Sequence, residues 1–491
     1  MTPDKMPNHR NPESHSQVTL LKATNSSGHS AAAQRNAGRQ RIIIAILVFL
    51  SAFGVRLLVW QNKRTEVPQV QTRVAENYKH LARLLQQNGL TSLCDASSTT
   101  SNPDLLGHPP GYSILLALIH RVAGETDVAP QLFQIICDSL AAVMILLIAM
   151  ELLPFGVGPP PQAGFPHWSP GIIAGLMAAF APQFSWNSIL LLPDTLAALP
   201  ILVGIYLITR ARQRPRWSTF LAAGALIGVS SWFRANALLL APFLALLMPI
   251  GLPRGLRLKV GLPLIAGACL TIAPLTIRNA VVFGHFIPVS LGAGQTLLEG
   301  IADYDETRSL GLADTDMGLI KQEAETHKRP DYALTLFGPD AIQRDKQRLA
   351  RGFAIIRAHP IWFFTVMIRR AGSMWRLERV PLITNTNASG IWTTLAVLVV
   401  GGIQKLFITA IILPLVVAGL IRLALGGQGR VLAILLAVPV YYFCVQSVLH
   451  TEYRYVLIIH YFLFVIAATA IHRIGCVLRQ RFRASRARRH A

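Results

Sequence analysis

Acid is scarce in this chain. Its 491 residues hold 24 Asp and Glu against 46 Lys and Arg, for a net charge of +22. Twelve of those carboxylates lie between Glu299 and Glu378, and six more (Glu66, Glu76, Asp95, Asp104, Glu125 and Asp127) follow the first apolar run. The hydrophobic segments around these two stretches are almost free of acid. Charge in hydrocarbon is costly and usually functional, so acids kept to one side of a bundle suggest a built site. Cysteine is sparse as well. Cys94, Cys137, Cys269, Cys444 and Cys476 are scattered, which excludes a CxxC metal motif and gives no disulfide framework. The glycine run Gly292-Ala293-Gly294-Gln295 lacks a following Gly-Lys and a strand–helix setting, so no soluble nucleotide-binding domain is legible. Nor is there the alternation of a membrane barrel, which leaves a helical bundle.

Apolar runs are abundant: hydrophobic residues make up 52% of the chain and the mean hydropathy is +0.44. Runs of roughly 18–22 residues, enough to cross ~30 Å of hydrocarbon, recur along it. Spans are expected near 42–60, 129–150, 170–187, 191–209, 217–233, 235–250, 260–277, 405–423, 431–449 and 455–472. The fold class is thus an all-α polytopic membrane protein of about ten transmembrane helices. The basic excess fits this topology better than nucleic acid. Arg210, Arg212, Arg214 and Arg216 share one short loop, Arg254, Arg257 and Lys259 another, and Arg422 and Arg430 a third. Seven arginines from Arg473 to Arg489 crowd the tail. Ten spans put these loops and both termini on one cytoplasmic side, as the positive-inside rule requires, with attraction to anionic lipid as a secondary effect.

Residues 1–41 read as a disordered basic cytoplasmic tail, 42–473 as the transmembrane domain, and 474–491 as a second basic tail. The first span reads as an uncleaved anchor, because no small-residue cleavage site lies near it. Two outer loops, about 61–128 and 279–404, carry amphipathic helices. In Arg73–Gln87, Val74, Tyr78, Leu81, Leu84 and Leu85 recur at helical spacing, and a second short helix should follow Pro110. The longer loop should hold a helix from about Asp340 to Arg357 and then an interfacial segment bearing Trp362, Phe363, Phe364 and Trp375.

Four pieces, in order, resemble the bacterial GT-C glycosyltransferases. These are polytopic enzymes that take sugars from polyprenyl-phosphate donors and include aminoarabinose, protein-mannose and lipopolysaccharide sugar transferases. The first piece is Tyr78-x-x-Leu81-Ala82-Arg83-Leu84-Leu85 with His108-Pro109-Pro110-Gly111-Tyr112. The second is Leu192-Pro193-Asp194-Thr195. The third is Pro274-Leu275-Thr276-Ile277-Arg278-Asn279 with Phe283-Gly284 and Pro288-Val289-Ser290. The fourth is His450-Thr451-Glu452-Tyr453-Arg454-Tyr455. The resemblance covers residues 42 to about 473 and implies inverting displacement at the outer membrane face.

In such a reaction the acceptor hydroxyl needs a carboxylate to take its proton. The departing lipid phosphate needs cations or backbone donors. Family members usually carry an Asp three or four residues before the tyrosine matching Tyr78, where this chain has Val74 and Ala75. Glu76 is therefore the candidate base, with Glu66 behind it, although a glutamate at position 76 could equally be the solvated face of an amphipathic helix. Asp194 is the second acid that the resemblance implies for positioning the acceptor or a metal, and it also suits a helix N-terminus. Arg278, Arg454, Arg234 and Arg56 are candidates for the donor phosphate, against the alternative of snorkelling anchors. Tyr78, His108, Tyr112, Glu452 and His450 are candidates for positioning substrate. No metal ligand set is assigned, but a divalent metal stays open should His108, His285 and His450 converge.

The implied partners are a polyprenyl-phosphate-linked sugar, membrane lipid, and a glycan, lipid or protein acceptor, with no nucleic acid. The implied location is a bacterial inner membrane with the site facing the periplasm. A flippase or transporter, or a polysaccharide polymerase or ligase, is the competing class. A transporter should show paired interrupted helices in two repeated halves, and no such repeat is visible.

Overall fold

The computed structural model describes residues 13–95, 104–153, 169–212, 214–247, 254–384 and 390–490. Two units separate, Met1–Leu47 and Val48–Ala491. Helix α1 covers Glu13–Lys63; of the disordered tail expected over residues 1–41, residues 1–12 lie outside the described residues. The second unit is also helical, with no strand among the described residues.

Six helical segments are long and apolar enough to cross a membrane: Gly38–Lys63, Val128–Leu152, Asp194–Ala211, Leu258–Phe283, Gly429–Val448 and Tyr453–Arg486. A pair bent by 56°, Ile391–Gln404 with Thr409–Leu425, makes seven if it is one broken span. The chain is thus an integral membrane protein, while the count of ten spans is not reached by length. The shortfall has local causes. The expected 170–187 span breaks at Ala181 into α6 (Ser169–Phe180) and α7 (Pro182–Asn187), where Pro182 sits at a helix start. The expected 217–233 span is α9 (Trp217–Phe233), only 17 residues long. The expected 235–250 span is a short turn and α10 (Leu240–Leu247), and residues 248–253 lie outside the description. The long outer loop was expected to reach 404, but its last stretch is the apolar helix α16 (Ile391–Gln404).

The remaining helices in chain order are α2 (Val67–Asn88), α3 (Asp104–Gly107), α4 (Gly111–Ala123), α5 (Val128–Leu152) and α8 (Asp194–Ala211). They continue with α11 (Arg254–Phe283), α12 (Ala293–Ala302), α13 (Asp316–His327), α14 (Ala341–Ala358) and α15 (Pro360–Ser373). Last come α17 (Thr409–Leu425), α18 (Gly429–Val448) and α19 (Leu457–His490). The outer-loop helices expected after Arg73, Pro110 and Asp340 are present as α2, α4 and α14.

Two packing features position the site. On α2, Ala75, Tyr78, Leu81, Ala82 and Leu85 are buried at helical spacing. Glu76, two residues before Tyr78, consequently projects from the other face. Helices α9 and α11 approach backbone to backbone at Gly224, Gly228 and Gly267, where a Cβ would run into Leu264, Thr271 and Leu221. Gly111, at the start of α4, lies just as tightly against Trp232 near the end of α9. This close stacking brings the loop around His108 to the end of α9, beside Arg234.

Candidate functional site

Asp194 opens α8 directly after Pro193 and is buried. Arg234 follows the last residue of α9 in an extended conformation (φ −144°, ψ 120°), which turns its side chain back across the antiparallel neighbour. Its Nη2 donates to Asp194 Oδ2 at 2.7 Å. The same guanidinium lies 4.5 Å from the centroid of the Tyr455 ring. Arg454, in the turn Tyr453–Val456 before α19, donates to Glu452 Oε1 at 2.7 Å and lies 5.3 Å from that ring. Two arginines thus flank one phenol, each held by its own carboxylate. Their buried Nε atoms have no protein hydrogen-bond partner. Burial against an unmet N–H is unfavourable, so these two donors suit an incoming anion.

Tyr78 lines the same space. Its ring packs 5.1 Å from His108 and, edge-on, 5.1 Å from Tyr112. Burial pushes its phenol up to about 12, with Arg234 working the other way, so it stays a neutral O–H. His108 is pulled down to about 4, first by burial and then by Arg234, so it is a neutral imidazole at neutral pH. The Asp316 carboxylate opposes that fall, which brings a residue of the long outer loop into the charge field of the first loop's histidine. Tyr112 is committed elsewhere, because its hydroxyl donates to Gln134 Oε1 at 2.6 Å.

Asp316 belongs to a small acid cluster. Gln295 Nε2 donates to Asp316 Oδ1 at 2.5 Å and to both Glu299 oxygens at 3.1 and 3.2 Å. Burial raises the Glu299 carboxyl to about 9, helped by the neighbouring Asp316, so Glu299 stays protonated; Asp316 is exposed. Sequence reasoning missed this pair. The one signal was the i,i+4 spacing of Gln295 and Glu299 just after a glycine run judged as a poor phosphate cradle. Tyr455 was quoted in a motif but given no role.

Other expected site residues are placed differently. Glu76 faces solvent in an ion pair with Arg83, and Glu66 pairs with Lys63 at 2.8 Å. Arg278 is a staple: it donates to Leu93 O at 2.6 Å, Leu105 O at 3.3 Å and Asn279 Oδ1 at 2.7 Å, tying the first loop to α11. Arg56 is fully buried, bound to Asp138 at 2.5 Å and to the carbonyls of Ala52, Ala178 and Ala179, with Tyr461 also donating to Asp138 at 2.6 Å. Those bonds leave Arg56 nothing to offer a phosphate. His450 Nδ1 lies 2.7 Å from Asp303 Oδ2 and its backbone N–H donates to Thr296 O at 2.7 Å, so it latches α12 to the end of α18. His285 is exposed. Among the described residues no three His, Cys, Asp or Glu gather to hold a metal ion.

Residues 107–277, about a third of the chain, match the family model for dolichyl-phosphate-mannose-protein mannosyltransferase. No curated protein matches at a significant level. Solved structures do. The apo oligosaccharyltransferase of Archaeoglobus fulgidus is 15% identical with a TM-score of 0.51, covering 91% of this chain and 52% of that one. The AglB oligosaccharyltransferase of the same organism, in complex with an inhibitory peptide and a dolichol-phosphate, gives 15%, 0.50, 91% and 52%. The oligosaccharyltransferase tethered to an acceptor peptide containing the NVT sequon gives 14%, 0.51, 89% and 50%. The chain spans about half the length of these structures. At such identity the likeness is one of fold: most of this chain shares the fold of these oligosaccharyltransferases.

Proposed function

We propose that this chain is a membrane glycosyltransferase that moves a sugar from a polyprenyl-phosphate donor to an envelope acceptor. The carrying observation is that Asp194, Arg234, Arg454, Tyr78 and His108, drawn from four distant parts of the sequence, meet at one end of the bundle. The family match over residues 107–277 supports the same class. Its site would face the periplasm of a bacterial inner membrane, with both termini in the cytoplasm.

The chemistry follows from the charges. The acceptor oxygen attacks the anomeric carbon and gives up its proton to a carboxylate. The bond from that carbon to the phosphate oxygen breaks, and its electron pair leaves on the lipid phosphate. Arg234 and Arg454, through their unmet Nε–H groups, stabilise the charge that develops there. Asp194 then acts as a positioning residue, because its ion pair fixes the Arg234 fork. Glu76 projects from the wrong face of α2 to act as base. Asp316 is the better candidate, being solvent-facing, oriented by Gln295 and within the charge field of His108. Tyr78 and His108, both neutral, border the sugar.

The test is mass spectrometry of envelope glycans from cells carrying no chain, wild type, Asp194→Asn, Arg454→Gln or Asp316→Asn, with membrane levels of each protein measured in parallel. A glycan that needs the wild-type chain and is lost in the variants at normal protein level is expected. Identical profiles in all strains would overturn the transferase reading, whereas full activity of Asp316→Asn alone would remove only its role as base.

A further inference from the structure

Between Asp194 and Glu299 lie 104 residues without a single carboxylate, while nine Lys and Arg occur among them. Arg234 has its acid in Asp194, Arg278 is held by carbonyl and amide oxygens, and Arg212 feels Glu151. Arg216 and Lys259 have no acidic partner among the described residues, and both line one groove of about 760 Å³. The groove lies between the first turn of α9 and the stretch of α11 from Leu258 to Pro263. It is about 25 Å from Arg234, the length of the 17-residue α9. It therefore belongs to the opposite end of the bundle from the site.

Its lining divides by chemistry. Leu258 and Leu262 are 71% and 62% exposed, and with Phe220 and Pro263 they form an apolar wall. Trp217, 66% exposed and next to Arg216 in sequence, lines the same groove. A tryptophan at the edge of an apolar wall marks headgroup depth in a membrane. Water could solvate the two charges but would gain nothing from the wall. A molecule with a phosphate at one end and a hydrocarbon chain at the other satisfies both.

We propose that this groove is a binding site for one anionic phospholipid, its phosphate on Arg216 and Lys259 and an acyl chain along Leu258 and Leu262. The seated phosphate offsets one charge of a cation pair that has no acidic partner among the described residues, and the lipid fills the cleft between α9 and α11. It thereby braces the helix pair whose other end carries Arg234. The site does not depend on the identity of the reaction at the far end.

Native mass spectrometry of the full chain, released from nanodiscs of mixed phosphatidylglycerol and phosphatidylcholine, tests this. Wild type should retain phosphatidylglycerol in preference. Arg216→Gln and Lys259→Gln should each lower that retention about fivefold, the effect of one cation at a membrane surface, and the double variant about 25-fold. Arg210→Gln, which removes a charge from the last turn of α8 outside the groove, should leave retention as in wild type. Each variant's melting curve in neutral detergent establishes that it is folded, and added phosphatidylglycerol should raise the melting temperature of wild type but not of the double variant. Equal retention of the two lipids, an equal loss with Arg210→Gln, or displacement of the lipid by millimolar inorganic phosphate would each overturn the proposal.

Discussion

The ion pair between Asp194 and Arg234 allows a quantitative test. Its N···O distance is 2.7 Å, and the side chains are 3% and 18% exposed. Removing one member of a fully buried pair typically costs about 3–5 kcal/mol, because a charge is stranded. Here the stranded guanidinium keeps the face of Tyr455 at 4.5 Å and some solvent, which offsets on the order of 1 kcal/mol. Asp194→Ala should therefore destabilise by about 2–4 kcal/mol. Asp194→Ala with Arg234→Leu removes both charges and should recover most of that loss, giving a coupling energy of roughly 2 kcal/mol in a double-mutant cycle. Unfolding in mixed micelles titrated with a denaturing detergent measures the four stabilities. Sugar transfer should not recover: without the Arg234 cation the departing phosphate loses a donor worth about 10²–10³ in rate. Coupling below about 0.5 kcal/mol, or a stable double variant with near wild-type transfer, would refute this account of the site.

Further outcomes follow from other contacts. In the fold Glu299 holds its proton up to about 9, whereas an unfolded glutamate releases it near 4.5, so the folded state binds more protons across that window and stability falls as pH rises through it. Glu299→Gln should match wild type near pH 5 and melt at a higher temperature at pH 8; an equal difference at both pH values would contradict the buried protonated acid. Arg56→Leu should cost about 3–5 kcal/mol by stranding buried Asp138, and adding Asp138→Asn should restore much of it, as the same micelle titration would report. Glu76→Gln should leave transfer intact and change stability by less than about 0.5 kcal/mol, since its pair with Arg83 is exposed. Gly224→Val drives a side chain into the Leu264 carbonyl and should cost about 1–3 kcal/mol or more, seen as loss of folded protein on size-exclusion chromatography.

Hydropathy and helical period were enough to give the all-α membrane class and the amphipathic character of α2 and α14. Those properties are local: burial preference repeats along the chain whatever it packs against. The number of full spans was less legible, because Pro182 interrupts an apolar run that composition alone joins and the stretch Ile391–Gln404, read as loop, is an apolar helix bent by 56° against the next. The choice among arginines was beyond one dimension altogether. Arg234, Arg278 and Arg454 are alike as cations at helix ends. Only the packing shows that Arg278 binds the carbonyls of Leu93 and Leu105 and the side chain of Asn279, while Arg234 crosses to an aspartate 40 residues away. Likewise the period of α2 puts Tyr78 and Glu76 on opposite faces, but which face meets the bundle depends on where Gly111 lets α4 settle against α9. The acids that meet Arg234 and Arg454 are Asp194 and Glu452, outside the two acid-bearing stretches, and tertiary contact selected them, because an ion pair needs proximity that no local pattern records.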